Sequence, residues 1–419
     1  MEEVLYLVHR VPYPPDKGDK IRSYHLLKHL SQRYRIHLGT FIDDEGDWKY
    51  CDKVKELCDE TCFVNLSPRT ARVRSLRGFF SGQPLTLPYY WDRDLQTWVN
   101  HILETRPISH ILVFSSAMAQ YVSQGRLAHR VIDFVDIDSD KWMQYANTRS
   151  WPMNWIYGRE SKLLLGYERR IAKDFDSATF VSEAEADLFG QLSPESASKV
   201  TYFNNGVDAD YFSPHRCYAN PYIAGVKTLV FTGAMDYWAN VDAVDWFARR
   251  IFPHIRAQSP EIEFHIVGAR PAAAVLALAS LPGVTVTGSV PDVRPFLAHA
   301  FLAVAPLRIA RGIQNKVLEA MAMEKIAVVS PQAMAGISAR SGKELIVATG
   351  ESEFASRILA LLESRSDLDI GAAARNHVLE SYSWERSLGR IDWLLIQGRT
   401  IQPNEEIRQP AKLLEIRGG

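Results

Sequence analysis

The sequence predicts an α/β protein of two parallel-sheet domains, and three observations carry that prediction. Short β-rich apolar runs alternate with helical patterns through the first half, a polar, turn-forming stretch interrupts them at 204–225, and the same alternation then restarts. A chain of 419 residues, 47% hydrophobic and 23% charged, is long enough for two cores.

In order, strand runs fall at 4–8, 36–41, 110–114 and 131–135, with helical patterns at 23–30, 117–122 and 139–146. One long helix is expected at 155–175, then a strand at 178–181 with Ser182 placed to cap the next helix. Asn204-Asn205-Gly206, Pro214 and Asn220-Pro221 mark a linker, which gives a first domain of 1–205 and a second of 206–382. In the second, strand runs fall at 229–231, 263–267, 284–286, 301–304, 326–329 and 345–347. A helix at about 383–398 is expected to pack back on the first domain, and 399–419 reads as a polar tail.

Composition narrows the function. With 48 basic and 49 acidic residues there is no global field to draw the chain to nucleic acid, so none is expected as a partner. The start of the chain lacks the charged and apolar regions of a signal peptide, and no 18-residue apolar run occurs, which favours the cytoplasm. Cys51, Cys58, Cys62 and Cys217 form no CxxC pair and have no His-rich neighbour, so they read as reduced thiols and no metal is expected.

Chemistry concentrates at strand-to-helix turns. The first strand runs through Pro14-Pro15-Asp16-Lys17-Gly18-Asp19 into a helix whose amides, beginning at Gly18, can hold an anion; a plain turn is the bland reading, and no GxGxxG is present. In the second half, Gly233, Gly268 and Gly288 each follow a strand run and line one predicted sheet edge, where doubly wound domains bind ligands. The segment Arg311-Gly312-Ile313-Gln314-Asn315-Lys316-Val317-Leu318-Glu319-Ala320-Met321-Ala322 is the most informative. A glycine turn opens a helix there, with Lys316 near its positive end to meet a diphosphate. Glu319, about one turn on and on the same face, can accept from two ribose hydroxyls. A surface Lys-Glu pair is the alternative.

This segment resembles the signature of the retaining GT-B glycosyltransferases of glycosyltransferase family 4, whose Glu-x7-Glu motif ends in Glu-Ala-Met-Ala before a buried strand. Asn205-Gly206-Val207-Asp208 with Phe212-Ser213-Pro214 resembles that family's linker, and the likeness spans roughly residues 4–395. Pro14-Pro15-Asp16-Lys17-Gly18-Asp19-Lys20-Ile21-Arg22-Ser23 and Gly233-Ala234-Met235-Asp236-Tyr237 are similar to sugar transferases of bacterial exopolysaccharide clusters, including exosortase-associated ones. The resemblance implies two facing Rossmann-like domains with a cleft between them. It also implies a nucleoside diphosphate sugar donor held by the second domain, a glycan or lipid-linked acceptor, retention, no cofactor and no metal. Two departures stand out. Arg311 occupies the position of the family's first glutamate, and the Arg and Lys that usually follow the glycine of the second domain's first loop are missing after Gly233. Lys316 and Arg311 are then the candidates for the missing positive charge.

In the first domain, Asp133, Asp136 and Asp138 surround a strand end. Alternation points Asp136 and Asp138 at the cleft, where they can orient an acceptor hydroxyl; helix capping by Asp138 is the competing role. Arg69, Arg72, Arg74 and Arg77, interleaved with Val73, Leu76 and Phe80 at helical spacing, form a basic amphipathic stretch suited to an anionic membrane surface, or else a solvated helix. Two other functions fit the same residues: a GT-B nucleotide-sugar epimerase, and a nucleotide-sugar-binding protein without turnover.

Overall fold

A computed structural model describes residues 1–15, 18–122, 128–310, 312–363 and 368–397. Its strands form two separate, wholly parallel sheets, as the alternation predicted. The first sheet holds β1 (Glu3–Val8), β2 (Arg35–Ile42), β3 (Glu60–Asn65), β4 (Ile108–Phe114), β5 (His129–Val135), β6 (Ser177–Phe180) and β7 (Val200–Tyr202), in the order β3-β2-β1-β4-β5-β6-β7. The second holds β8 (Thr228–Thr232), β9 (Glu263–Val267), β10 (Val284–Gly288), β11 (Leu302–Ala305), β12 (Ala327–Val329) and β13 (Ile346–Val347), in the order β10-β9-β8-β11-β12-β13. The strand order reverses beside β1 in one sheet and beside β8 in the other. Such switch points leave a crevice at the carboxyl ends of the strands.

The interior strands are rich in apolar residues because both faces of each sheet are buried. Every residue of β1 and β8 is buried. Two strands escape the sequence reading. β3 lies at the sheet edge and is only half-buried, and β7 has three residues. The run at 117–122 is a 3₁₀ helix, Ser116–Val122, and the long helix spans Met153–Asp174. Ser182 caps the helix Glu183–Leu192 by accepting from the Glu185 amide.

The chain crosses between the lobes twice, and the two crossings lie side by side. The Val207 amide donates to the Tyr382 carbonyl at 2.8 Å, and Val207 bridges Ser383. Beyond this crossing the helix Trp384–Gln397 buries Trp384, Leu388 and Ile391 in the same cluster as Val4, Leu26 and Phe203 of the first lobe. Two buried arginines fix the crossing from either side. Arg22 donates to the Phe203 carbonyl and to Asn205 Oδ1, and Arg375 donates to the Phe212 carbonyl. At Gly206 a Cβ would lie 2.7 Å from the Trp384 ring and 2.8 Å from its Cα. Gly206→Ala must therefore push the crossings apart. Overpacking of this kind costs about 1–3 kcal/mol, and a chemical-denaturation midpoint lowered in the variant checks it.

Candidate functional site

A cleft of about 770 Å³ opens between the carboxyl ends of the two sheets, lined by both lobes. Strand ends of the first sheet supply one wall. His9 and Arg10 follow β1, and Ser115 follows β4; Val135 ends β5, and Asp136 comes next. Ser115 and Val135 hold φ of 77° and 70°, a left-handed conformation that costs a non-glycine residue of order 1–3 kcal/mol. Two such residues at adjacent strand ends, both lining one cleft, mark it as a functional region.

Charged networks fix this wall. Asp19 receives Arg10 Nη1 at 2.6 Å and lies 3.4 Å from His9 Nε2, while Arg10 also reaches Asp43 at 2.7 Å. Burial works against the Asp19 charge, but His9 and Arg10 outweigh it and hold the carboxyl below the usual range. His9 itself stacks on Phe114 with ring centroids 5.8 Å apart. Lys141 Nζ sits 2.8 Å from Asp136 and 3.3 Å from Asp138. Burial disfavours its charge, yet the two aspartates together keep Lys141 protonated well above the ordinary lysine range.

Asp138 is the first residue of the helix Asp138–Thr148, and its carboxylate faces Lys141 instead of the helix amides, so the capping role falls away. Glu168 takes that role from a distance. It accepts from the Ser139 amide at 3.2 Å and from the Ser139 hydroxyl, which fixes the helix that presents Asp138 and Lys141. Burial, helped by the Asp138 charge, pushes Glu168 up to about 8. A carboxyl raised above its unfolded value stabilises the fold fully below the unfolded pKa and loses that contribution as pH rises through about 8. The wild-type melting temperature is expected to fall between pH 6 and 9, and Glu168→Gln, which cannot ionise, is expected to flatten that fall.

Asp133 has no part in the cleft. It is fully buried and paired bidentately with Arg22, at 2.7 Å to Nε and 3.1 Å to Nη2. The basic stretch is also not one amphipathic helix. It breaks at Leu76 into Pro68–Ser75 and Arg77–Ser81, and Arg74 turns inward to the carbonyls of Pro88 and Tyr89 at 2.7 and 2.6 Å. Arg72 lines the cleft, while Arg69 and Arg77 stay exposed.

The second lobe supplies the facing wall through Gly312, Ile313 and Asn315. Gly312 has φ 59°, and a Cβ there would lie 3.3 Å from Val181 and 3.6 Å from an Asp136 oxygen. This turn therefore brings the opening of the helix Asn315–Ala322 against the first lobe's acidic strand end. Gln314 precedes that helix without capping it by its side chain; its carbonyl takes the Val317 and Leu318 amides, so the amides of Asn315 and Lys316 face a ligand, and Asn315 Oδ1 is buried without a partner. Gly18 starts a helix on the opposite wall, and a Cβ there would meet nothing within 4 Å.

Gly233, Gly268 and Gly288 stand at consecutive strand ends. The Gly268 amide donates to the Gly288 carbonyl at 3.2 Å, and a Cβ on Gly268 would lie 1.6 Å from the Gly233 carbonyl oxygen, so that position admits no side chain. A Cβ on Gly233 would meet Lys316 Nζ at 3.1 Å and Asn240 Nδ2 at 2.9 Å. Lys316 Nζ donates to Asn240 Oδ1 and sits 4.2 Å over the Phe231 ring. The ammonium thus lies beside Gly233, at the start of the loop that follows β8. Burial pulls Lys316 down to about 7, against the opposing pull of Glu319, and burial pushes Glu319 up to about 7, against Lys316.

Of the sequence candidates, Gly18, Asp136, Asp138, Gly312, Ile313 and Asn315 line the cleft. Gly233, Gly268, Gly288 and Lys316 gather at the second sheet's edge behind it, with Glu319 one turn along from Lys316. Gln314 stands between these groups, and Arg311 lies outside the described residues. Sequence reasoning missed His9, Arg10, Asp19, Asn240 and the aromatic residues Tyr90, Trp142 and Tyr157 of the cleft. The strand-end rule that selected Gly233 also selects His9 and Arg10, which directly follow β1. Among the described residues no three His, Cys, Asp or Glu side chains gather as a metal site, and no helix is long and apolar enough to cross a membrane.

Residues 226–364 match the family described as Glycosyl transferases group 1. No curated protein matches the chain. Among solved structures, the Anabaena protein HepE in complex with UDP and glucose superposes with a TM-score of 0.66 at 14% identity, covering 94% of this chain and 99% of that one. WaaG, a glycosyltransferase involved in lipopolysaccharide biosynthesis, gives 0.63 at 13% identity, with 93% and 99% covered. Sucrose-phosphate synthase from Thermosynechococcus elongatus gives 0.66 at 13%, with 94% and 98% covered. The chain has the GT-B fold of two Rossmann-like lobes, and its second lobe, over residues 226–364, carries a Glycosyl transferases group 1 domain.

Proposed function

We propose that this protein is a glycosyltransferase that takes a sugar from a nucleoside diphosphate donor and passes it, with retention, to a glycan or lipid-linked acceptor in surface polysaccharide assembly. One observation carries the reading. An uncapped helix start, Lys316 and Glu319 on one helix, and three glycines at adjacent strand ends together form a cradle for a diphosphate and a ribose. HepE, a structural neighbour, binds UDP and glucose, which supports the donor class.

In this account Lys316 and the amides after Gly312 hold the diphosphate, and the Glu319 carboxylate accepts from the ribose hydroxyls. The sugar then lies in the cleft beside the Gly312 turn and Asp136. As the bond between the anomeric carbon and the phosphate oxygen breaks, negative charge builds on the leaving diphosphate, and the fixed donors around it stabilise that charge. The acceptor oxygen enters on the same face and bonds to the anomeric carbon as its proton passes to the departing phosphate oxygen. Asp136, held by Lys141, orients that hydroxyl. The surface-polysaccharide setting rests on the resemblance of the first-loop motifs.

Lys316→Ala is expected to weaken nucleoside diphosphate binding about 10- to 100-fold, the range for losing a charged hydrogen bond, as read by calorimetry with UDP and GDP. Unchanged affinity would remove Lys316 from the donor site. Turnover is tested by following nucleoside diphosphate release from a panel of nucleotide sugars, with membrane lipid extract or capsule oligosaccharide as acceptor. Acceptor-dependent release with an anomer of unchanged configuration in the product supports transfer. Donor turnover that needs no acceptor indicates an epimerase, and binding without turnover indicates a binding protein.

A further inference from the structure

We infer that the face built from the helices Pro68–Ser75 and Arg77–Ser81 and the start of the helix Met153–Asp174 is a docking surface for an anionic lipid bilayer. This inference stands apart from the donor chemistry. The sequence alone suggested a single basic helix here, but the structure divides that helix, withdraws Arg74, and adds a second element. Arg159 lies 4.8 Å over the Phe79 ring and donates to the Gly78 carbonyl at 2.7 Å, and Phe79 stacks on Trp155 with centroids 6.2 Å apart. The two segments are therefore one surface.

Its apolar residues point into solvent to a degree that no structural role explains. Phe80 is 93% exposed, Trp151 78% and Val73 70%, with Leu76 and Trp155 more than half exposed. Contiguous exposed apolar patches of this kind mark a partner or a membrane. Charge selects between them. Residues 67–83 and 149–163 hold seven cations, Arg69, Arg72, Arg74, Arg77, Arg149, Arg159 and Lys162, and a single acid in a chain that is otherwise balanced. That acid, Glu160, is buried and bound to the amides of Leu85 and Thr86, so it offers solvent no negative charge. Aromatic side chains among exposed cations, without a compensating carboxylate, match the interfacial region of a negatively charged membrane.

The surface also adjoins the cleft. Arg72 and Ser75 of the first helix, and Ile156 and Tyr157 of the long one, turn toward the cleft. A bilayer seated on this face would place its headgroups at the cleft mouth.

The test is flotation of the full chain with vesicles of phosphatidylcholine alone and of phosphatidylcholine mixed with phosphatidylglycerol. Binding to the mixed vesicles only, reversed by added salt, is the expected result. Arg69→Gln with Arg77→Gln should lower partitioning by more than tenfold, at about fivefold for each exposed cation near the surface. Phe80→Ser, at a side chain that touches almost nothing, should lower it without moving the melting temperature. Equal binding to neutral vesicles, no binding to either, or unchanged binding in both variants overturns the proposal. So does a dimer seen by sedimentation that Phe80→Ser dissociates in a protein that ignores vesicles.

Discussion

Glu319→Ala is expected to lose nucleoside diphosphate affinity by about 100-fold while leaving the unliganded protein as stable as before. Both halves follow from the geometry. Glu319 is half-buried beside Lys316, and no hydrogen bond from a described residue reaches its carboxylate, so the free fold gives up little when it goes. A bound ribose would give that carboxylate two charged hydrogen bonds, and losing them costs about 3 kcal/mol. The pH dependence is specific to the pair. Burial raises Glu319 to about 7, so binding weakens as pH falls below that value and the acceptor is protonated. Burial lowers Lys316 to about 7, so binding also weakens as pH rises and the ammonium is lost. Calorimetric affinity for UDP or GDP should therefore peak near neutrality. Lys316→Arg, which keeps its charge, should flatten the alkaline side alone.

Arg22→Met should cost about 3–5 kcal/mol of stability, the largest effect expected of a residue outside the cleft. Arg22 and Asp133 are both fully buried and joined by two hydrogen bonds, with the guanidinium 3.5 Å over the Phe203 ring. Removing one partner strands the other charge in the interior, whereas removing both is often close to neutral. The double variant Arg22→Met with Asp133→Asn should therefore recover much of the loss in urea unfolding. Because Arg22 also holds Phe203 and Asn205 at the first crossing, the single variant should slow any turnover that requires the lobes to keep their relation.

The fold was legible because the central strands carry apolar runs, Val4–Val8 in β1 and Leu229–Phe231 in β8, that are buried on both faces and too short for helices. β3 was not legible, since an edge strand that mixes Glu60, Thr61 and Cys62 with apolar residues is half wet. In the site, the turn at Gly312 was legible because a glycine that opens a helix is a local signal. The cleft's first wall was not. Asp19, Tyr90 and Trp142 reach the cleft from three different elements, and only tertiary packing brings them to His9 and Arg10. Arg74 shows the same limit. Helical spacing placed it on a solvent face, but carbonyls 14 and 15 residues away claim its guanidinium. The burial of Asp133 was not legible for a related reason, because its partner Arg22 is a matter of three-dimensional placement.

Central to this account is a nucleotide sugar held by the second lobe through Glu319. The most direct measurement is a thermal-shift series with UDP, GDP, ADP and their sugars on the wild type and on Glu319→Ala, because a ligand that binds only the folded state raises its midpoint by mass action. The account predicts that one nucleotide family raises the wild-type midpoint and leaves Glu319→Ala unmoved. No shift with any nucleotide, or an equal shift in the two proteins, would contradict it.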